Sequence, residues 1–288
     1  MTTVYLNGEY LPHERAVISP DDRGFIFGDG IYEVVRVIGG RIYEWDAHAA
    51  RMARGLAALR LAFGPRDVAA LRGVSERLVR DNGIAEGEAT VYLQVSRGAA
   101  PRTHQFPPAG TPSTVYAFGT KFVVPRAHRE DGVKAITYPD FRWARCDLKT
   151  VNLLPAVLAR QAAAEADAYE AILLRDGVMT EGAATNTFAV IGGTLRTYPL
   201  SNYVLPGITR RVLVELAGEL GIPLVEEPVT HFELPKADEL FICGTTTDVT
   251  PVIVLDGRPV GRGTPGPVSV KLREALSARM YGTVGASP

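Results

Sequence analysis

The stretch FRWARCDLKTVNLLPAVLARQ (141–161) places a lysine between a strand-like run and a helix-like run. The chain has only five lysines among its 31 basic residues, so arginine carries most of its positive charge. Arginine keeps its proton near neutral pH, whereas a lysine amine can form a Schiff base with an aldehyde or a ketone. Lys149 has apolar neighbours on both sides. These residues alone therefore leave two interpretations open, a Schiff-base lysine and a charge that flanks a helix.

The composition around this stretch is that of an ordinary globular protein, with 46% apolar and 22% charged residues. The length of 288 residues allows two domains. A net charge of −1 gives no field that would gather nucleic acid or anionic lipid, which favours small molecules or further copies of the chain as partners. The N-terminal residues lack a signal-peptide pattern, and no apolar run approaches the ~18 residues of a membrane span. We therefore expect a cytoplasmic protein.

The sequence gives little evidence for a metal site, a redox site or a dinucleotide-binding site. Cys146 and Cys243 match no metal or redox spacing, so we expect two buried thiols. The histidines are too scattered to indicate a metal site. The segment FGDGIYE (27–33) resembles a dinucleotide fingerprint, but Glu33 stands where a third glycine or alanine is needed, and the segment continues as a strand.

The first part of the chain has the pattern of an α+β domain. Alternating apolar residues predict strands in 4–11, 31–45 and 89–98. Apolar residues at helical spacing predict two helices, one in 46–63 capped by Asp46 and one near 65–82. We place this domain at residues 1–117, followed by an interdomain connector at 118–130.

The remainder, residues 131–288, is predicted to be a second α+β domain that carries Lys149. A helix over 152–166 has Asn152 as its candidate cap and Pro155 in its first turn. Another helix begins at Gly207 and ends at Gly221, and a loose tail ends the chain. Strands and helices do not alternate strictly, so two α+β domains with mixed sheets fit better than one doubly wound sheet.

Two segments could bind a phosphate group. Gly207-Ile208-Thr209 opens a helix, where free backbone N–H groups and the helix dipole attract an anion. Gly244-Thr245-Thr246 could form a second cradle of backbone and hydroxyl donors. Taken singly, the first segment is more simply explained as a helix cap and the second as a threonine-rich strand. Beside a buried lysine, the two describe a site for a phosphorylated aldehyde.

Two further segments carry candidate polar contacts. Glu181, in MTEGAATN (179–186), is either exposed at a turn or hydrogen-bonded to a cofactor ring nitrogen, which would keep the ring protonated. Arg102 and His104, in SRGAAPRTHQFPP (96–108), are two residues apart and could point the same way from an extended loop. They form either a trap for a carboxylate or a solvated basic loop.

In this order, the motifs resemble those of the fold-type IV pyridoxal-phosphate aminotransferases, and within that family the bacterial D-amino acid aminotransferases. The resemblance covers nearly the whole chain. Its motifs are RGFIFGDGIYEVVRV (23–37), PRTHQFP (101–107), RWARCDLKTVNLLPAVLARQ (142–161), YEAIL (169–173), TEG (180–182), GITR (207–210) and TTTDVTPVI (245–253).

The resemblance implies a role for each candidate residue. Lys149 would form the Schiff base with the cofactor and carry the proton, and Glu181 would bond the ring nitrogen. The other implied contacts are Arg51, Ile208, Thr209 and Thr245 on the phosphate, Leu205 against the ring, Glu33 and His48 linking the cofactor side to the lysine, and Tyr32, Arg102 and His104 on the substrate carboxylate. The Arg-His loop would come from the other subunit of a homodimer with shared active sites.

The implied reaction is transamination between a D-amino acid, such as D-alanine, and a 2-oxo acid, such as 2-oxoglutarate, by way of pyridoxamine phosphate. This chain departs from the family pattern at Ala183, Ala184, Thr185 and Gly244, where serines are expected, and at Pro206, where a lysine is expected. Cofactor affinity and substrate range are therefore open. The alternatives are an L-branched-chain aminotransferase, an (R)-amine transaminase, an aminodeoxychorismate lyase and a non-enzymatic small-molecule binding protein.

Overall fold

A computed structural model describes residues 2–282, and within them the chain divides into two compact units. The first unit contains the residues up to Val123 together with Leu148–Asn152. The second contains Val124–Asp147 and the described residues from Leu153 onward. The segment with Lys149 therefore belongs to the first unit, whereas the sequence analysis placed it in the C-terminal domain.

The described residues form seven α-helices and sixteen strands. The helices are α1 (Arg23–Phe27), α2 (Trp45–Ala58), α3 (Pro65–Asp81), α4 (Arg126–Asp131), α5 (Leu154–Glu165), α6 (Ile208–Glu219) and α7 (Pro267–Tyr281). The strands are β1 (Thr3–Leu6), β2 (Glu9–Pro12), β3 (Gly30–Ile38), β4 (Arg41–Ile42), β5 (Glu88–Ser96), β6 (Thr114–Lys121), β7 (Val133–Pro139), β8 (Glu170–Arg175), β9 (Val178–Gly182), β10 (Asn186–Ile191), β11 (Thr194–Arg196), β12 (Leu224–Val225), β13 (Val229–Thr230), β14 (Glu239–Gly244), β15 (Asp248–Leu255) and β16 (Arg258–Pro259).

The first unit is built on an antiparallel sheet with the strand order β2-β1-β6-β5-β3-β4. Alternate residues of β5 are buried, as in Val91 and Leu93, whereas β3 is continuously buried over 35–38. Helices α2 and α3 cover the sheet with apolar stripes that include Leu56 and Leu78. This core fixes β3 and α2, which supply the buried polar side chains of Glu33, His48 and Arg51.

The second unit is built on a mixed sheet with the order β12-β11-β10-β14-β15-β7-β8-β9-β13, with β16 paired to β15. Strand β7 pairs in parallel with both β15 and β8, and β11 pairs in parallel with β12. Strands β8, β10 and β14 are almost continuously buried, which explains their long apolar runs. Together the two sheets confirm the predicted α+β class.

Several local predictions are confirmed. Helix α3 spans the predicted 65–82 region, β3 and β4 turn at Gly39-Gly40, and α6 is followed by Gly221 with a φ of +66°. Among residues 2–282, none of the helices combines the length and the apolar character that crossing a membrane requires.

Both predicted helix caps are wrong. Glu44, in a left-handed conformation, precedes α2, and Asp46 lies within the first turn, where its charge still faces the positive end of the helix dipole. Helix α5 begins at Leu154 rather than at 152, because Val151 is still hydrogen-bonded to the carbonyl of Gly30.

The segment 118–130, predicted to be a connector, contains regular secondary structure. Strand β6 extends to Lys121, and α4 begins at Arg126. The predicted loose tail lies outside the described residues, apart from Gly282.

Candidate active site

Backbone hydrogen bonds attach the segment with Lys149 to strand β3. The N–H of Tyr32 donates to the carbonyl of Lys149 (3.0 Å), and the N–H of Val151 donates to the carbonyl of Gly30 (3.1 Å). Lys149 is half-buried, and its Nζ lies 4.2 Å from the centroid of the Tyr32 ring. A cation over an aromatic face is attracted by the ring quadrupole, so Tyr32 restrains the position of the amine.

Glu33, the next residue on β3, is the centre of a buried polar cluster. Arg51 donates to both of its carboxylate oxygens, from Nε to Oε1 (2.7 Å) and from Nη2 to Oε2 (2.8 Å). The Nδ1 atom of His48 lies 2.8 Å from Oε2. His48 and Arg51 are i and i+3 on α2, so both face the same side of the helix. The structure thus brings three predicted site residues together.

This cluster determines the protonation of its acid. Burial tends to raise the pKa of Glu33, but the charge and hydrogen bonds of Arg51, with the bond from His48, lower it to about 2. Burial also lowers the pKa of His48, although the neighbouring Glu33 opposes that shift. Arg51, a predicted phosphate contact, is here the ionic partner of Glu33.

The loop after β5 carries Arg102 and His104, which are both exposed. The guanidinium carbon of Arg102 lies 5.5 Å from the centre of the Phe27 ring, and the His104 ring lies 5.7 Å from it. The backbone carbonyl of Thr103, between them, accepts a hydrogen bond from Nη1 of Arg23 (2.7 Å). Both side chains therefore lie on one loop, and a hydrogen bond from Arg23 holds the backbone of that loop. Arg23 was not predicted as a site residue.

In the second unit, Glu181 lies on β9 and is buried among donors. Its Oε2 accepts from Nδ2 of Asn186 (2.8 Å) and from the N–H of Leu205 (3.0 Å). Its Oε1 accepts from Nη1 of Arg142. Burial raises the pKa of Glu181 to about 7, against the opposing charge and hydrogen bond of Arg142. The acid is therefore poised near neutrality.

Arg142 is shared between two acids. Its Nε and Nη2 donate to the two oxygens of Asp140, each at 2.9 Å, while Nη1 bonds to Glu181. Asp140 also accepts from Nε of Arg175 (3.2 Å). Asp140 and Arg142 were not predicted as site residues. A signal was available, since both are charged residues close to Lys149 in a segment with several apolar positions.

Asn186 connects Glu181 to the start of α6. Besides its bond to Glu181, Nδ2 donates to the carbonyl of Leu205 (2.9 Å). A Cβ at Gly207 would lie 1.9 Å from Oδ1 of Asn186, so only glycine fits at this N-cap. The helix has no side-chain cap, and Ile208 and Thr209 in its first turn are buried. The backbone N–H groups of that turn remain suited to an anion.

The second predicted phosphate cradle lies between β14 and β15. Gly244 ends β14, Thr245 is half-buried, and the N–H of Thr247 donates to the carbonyl of Gly244 (3.2 Å). A Cβ at Gly244 would meet its nearest neighbour at 3.6 Å, an ordinary contact. In contrast to Gly207, this glycine is not required by the surrounding protein.

Both cysteines are buried and free, as expected. Burial raises the pKa of the Cys146 thiol to about 11 and that of Cys243 to about 12, so neither is a reactive thiolate near neutral pH. In the described part of the chain, no cluster of His, Cys, Asp and Glu could hold a metal ion.

The family model for class IV amino-transferases matches residues 30–254. The chain belongs to the class IV aminotransferase family. It is 39% identical over 277 residues to a D-alanine aminotransferase of Staphylococcus haemolyticus, covering 96% of this chain and 97% of the relative. It is 40% identical over 274 residues to that of Bacillus licheniformis, covering 95% of each. The predicted family is thereby confirmed.

Solved structures of the same class have closely similar folds. A branched-chain aminotransferase of Escherichia coli has a TM-score of 0.88 at 26% identity, covering 96% of this chain and 93% of that one. A branched-chain aminotransferase of T.th., complexed with N-(5′-phosphopyridoxyl)-L-glutamate, has a TM-score of 0.85 at 29% identity, covering 97% and 94%. This class IV chain is an aminotransferase, and the handedness of its substrate is a separate question.

Proposed function

We propose that the protein transfers an amino group between a D-amino acid, such as D-alanine, and a 2-oxo acid, such as 2-oxoglutarate. The observation that carries the proposal is its 39% to 40% identity, over nearly the whole chain, to D-alanine aminotransferases. The branched-chain enzymes with similar structures have lower identity, 26% and 29%. The Arg102/His104 loop supports an amino acid or 2-oxo acid as the substrate, because its donors suit a carboxylate.

The cofactor is pyridoxal 5′-phosphate, which supplies an aldehyde for a lysine and a ring that withdraws electrons from the substrate α-carbon. Three features of the chain fit three parts of this group. Lys149 offers a half-buried amine, Glu181 a buried carboxylate for the ring nitrogen, and the uncapped start of α6 at Gly207 a site for the phosphate. Thr209 and Thr245 are the hydroxyl-bearing candidates beside that phosphate.

Lys149 is the proposed acid–base group of the reaction. Its Nζ would take the proton from the substrate α-carbon and deliver it to the C4′ carbon of the cofactor, a role that typically contributes ~10²–10⁴-fold to the rate. The backbone bond to Tyr32 and the ring beneath the amine hold Nζ in one place. Arg102 and His104 would hold the substrate carboxylate, and that placement decides which substituent of the α-carbon faces the amine.

Glu181 would accept the hydrogen bond of the ring nitrogen, and Leu205 would pack against the ring. A carboxylate with a pKa of about 7 gains from a neighbouring positive charge, so a protonated ring nitrogen would favour its ionised form. Arg142 and Asn186 hold the two oxygens in a fixed orientation. This arrangement keeps the acid from rotating away from its partner.

A comparison of donors with one acceptor tests the proposal. The initial rates of D-alanine, L-alanine and L-leucine with 2-oxoglutarate would be measured on the loaded enzyme. We expect kcat/KM for D-alanine to exceed that for L-leucine by about 100-fold or more, because the carboxylate position fixes the reacting face. Equal or reversed values would sink the D-specific assignment and leave a branched-chain aminotransferase, the second candidate, which the structural similarity favours.

The lysine assignment has its own test. Borohydride reduction of the loaded enzyme is expected to fix the cofactor to the peptide that contains Lys149, as read by mass spectrometry. Lys134→Ala, which removes an exposed lysine paired with Asp167, serves as the control and should keep the label. A label on another lysine would contradict the assignment.

We also propose that the protein is a homodimer. Apolar side chains on α5 are unusually exposed in the single chain, with Leu154 at 66%, Val157 at 56% and Leu158 at 54%. Such a patch commonly marks a surface that another protein covers. Light scattering at micromolar concentration is expected to give twice the chain mass of 31.1 kDa. Location in the cytoplasm stays a prediction from the sequence.

A further inference from the structure

The Gly-Asp-Gly motif of residues 28–30 has no role in the proposed chemistry, yet its geometry is tightly constrained. Gly28 ends α1 with a φ of +67°. A Cβ at Gly30 would lie 2.9 Å from the carbonyl oxygen of Val95, so a side chain cannot be accommodated there. The two glycines therefore fix Asp29 at the junction of α1 and β3.

Asp29 is the common partner of two buried arginines. Its Oδ2 accepts from Nε of Arg23 (2.9 Å) and from Nε of Arg97 (2.7 Å), and its Oδ1 accepts from Nη2 of Arg97 (2.9 Å). Burial tends to raise the pKa of Asp29, but the hydrogen bonds and charges of Arg97 and Arg23 lower it. Asp29 is therefore an ionised acceptor that orients the guanidinium groups of both arginines.

Each arginine also holds the loop that carries Arg102 and His104. Nη1 of Arg23 donates to the carbonyl of Thr103 (2.7 Å), the peptide group between those two residues. The guanidinium carbon of Arg97 lies 3.7 Å from the centre of the Phe106 ring. The loop is thus held at two points, and both holding groups are anchored on Asp29.

Further contacts support the same attachment. Arg60 lies over the Phe106 ring at 4.7 Å, and Arg97 also donates to the carbonyl of Leu59 (2.8 Å). The Arg23 guanidinium lies 4.6 Å from the centre of the Phe27 ring, the ring that Arg102 and His104 contact. The loop therefore rests on a connected set of polar and aromatic groups, of which Arg23 and Arg97 are buried.

We propose that Asp29, acting through Arg23 and Arg97, is a positioning residue that sets the loop 101–107 and so aims Arg102 and His104 at the substrate carboxylate. The inference rests on the proposed function, because it takes these two side chains as the carboxylate trap. Both side chains are exposed, so their position depends on the backbone that carries them, and the Thr103 carbonyl is a point at which that backbone is held. Small errors in the position of such groups cost binding of the substrate.

The isosteric substitution Asp29→Asn is the first test. It removes the charge and leaves the volume unchanged, so the two arginines lose their common ionic partner. We expect KM for D-alanine and for 2-oxoglutarate to rise about 10-fold while kcat changes less than about 3-fold, because binding rather than chemistry is affected. The absorbance of the bound cofactor should not change. Glu76→Gln, which removes the exposed partner of Arg72 in the same unit, is the control and should leave both constants unchanged.

Arg23→Lys is the second variant, and it decides the question if Asp29→Asn does not fold. Lysine keeps a positive charge beside Asp29 but lacks the second branch of the guanidinium that reaches the carbonyl of Thr103. Hydrogen exchange of the peptide 99–108 is measured in the cofactor-free protein as well as in the loaded enzyme. Faster exchange in this peptide, with unchanged exchange in β14, supports the proposal that Arg23 holds the loop. Unchanged exchange in both segments overturns it.

A double-mutant cycle with Arg102→Gln separates this inference from the proposed function. Because Asp29 also aims His104, the double variant can exceed Arg102→Gln alone, but its KM should rise by clearly less than the product of the two single increases. A multiplicative increase, or an unchanged KM in Asp29→Asn, would overturn the inference and leave Asp29 a purely structural residue. If Arg102→Gln alone leaves KM unchanged, the carboxylate trap itself is wrong, and the proposed role of Asp29 in aiming it fails with it.

Discussion

Glu33 in the first unit and Glu181 in the second are two equally buried glutamates with opposite pKa shifts. Glu33 lies on β3 at 1% exposure and Glu181 on β9 at 3%. The pKa of Glu33 is lowered to about 2, whereas that of Glu181 is raised to about 7. Burial alone therefore does not decide the protonation of either acid.

The difference lies in how much positive charge each acid receives. Glu33 has two hydrogen bonds from Arg51 and a third contact from His48. Glu181 shares its arginine, Arg142, with Asp140, which takes two of the guanidinium N–H groups. For Glu181, the rise in pKa caused by burial is larger than the lowering caused by Arg142. The comparison shows that burial can keep a carboxylate poised near neutral pH when its arginine partner is shared with a second acid.

The largest effect is expected from Glu33→Gln, which breaks the fully paired side of the comparison. Removing one partner of a buried ion pair leaves the Arg51 charge without this carboxylate and typically costs about 3–5 kcal/mol in the free energy of unfolding. Urea denaturation at pH 7 measures the loss. The folded pKa of Glu33 lies below its usual 4.5, so the wild-type protein should lose this stabilisation as the pH falls from about 4.5 towards about 2.

The control for that experiment is Glu76→Gln, which breaks the exposed pair with Arg72 and should cost less than about 1 kcal/mol. Equal losses in the two variants would contradict the role given to burial.

Glu181→Gln should give the next largest effect, in the cofactor-free protein. The folded pKa of Glu181, about 7, lies above its usual 4.5, so the folded state binds the proton more tightly than the unfolded chain. The wild-type protein should therefore lose stability as the pH rises from about 4.5 to about 7, by about 3 kcal/mol. The glutamine variant should lack this loss. Glu165→Gln, which removes an exposed carboxylate at the end of α5, is the control and should keep the loss. Parallel curves of unfolding free energy against pH for the wild type and Glu181→Gln, or a flattened curve for Glu165→Gln, would refute the shift.

The smallest effect is expected from Asp140→Asn, which should make Glu181 more like Glu33. Without the Asp140 charge, more of the Arg142 charge acts on Glu181 and lowers its pKa. The loss of stability between pH 4.5 and pH 7 should then shrink by about 1 kcal/mol. Asp147→Asn, which removes the exposed partner of Arg145, is the matched control. A steeper loss in Asp140→Asn would show that Asp140 supports the ionised form of Glu181 instead.

The secondary structure was predictable where one local pattern dominates. Alternation in 89–98 gave β5, and helical spacing near 65–82 gave α3. The start of α5 was not predictable, because residues just before it are hydrogen-bonded to β3, more than a hundred positions away in the chain. The short helix α1 was missed because five residues are too few for a periodic signal.

The candidate site divides in the same way. The spacing of His48 and Arg51 determines that they share a face of α2, and the motif order around Lys149 determines the family. The meeting of Glu33 with that face, the sharing of Arg142 by two acids, and the attachment of the Arg102/His104 loop to Asp29 were decided by the tertiary structure. The hydrogen-bonded residues are far apart in the sequence. Arg142 and Glu181 are separated by 39 positions, Arg97 and Asp29 by 68, and Arg23 and Thr103 by 80. A linear pattern records side-chain chemistry and local spacing, whereas the charge that reaches a buried acid depends on which distant groups the packed sheets bring beside it.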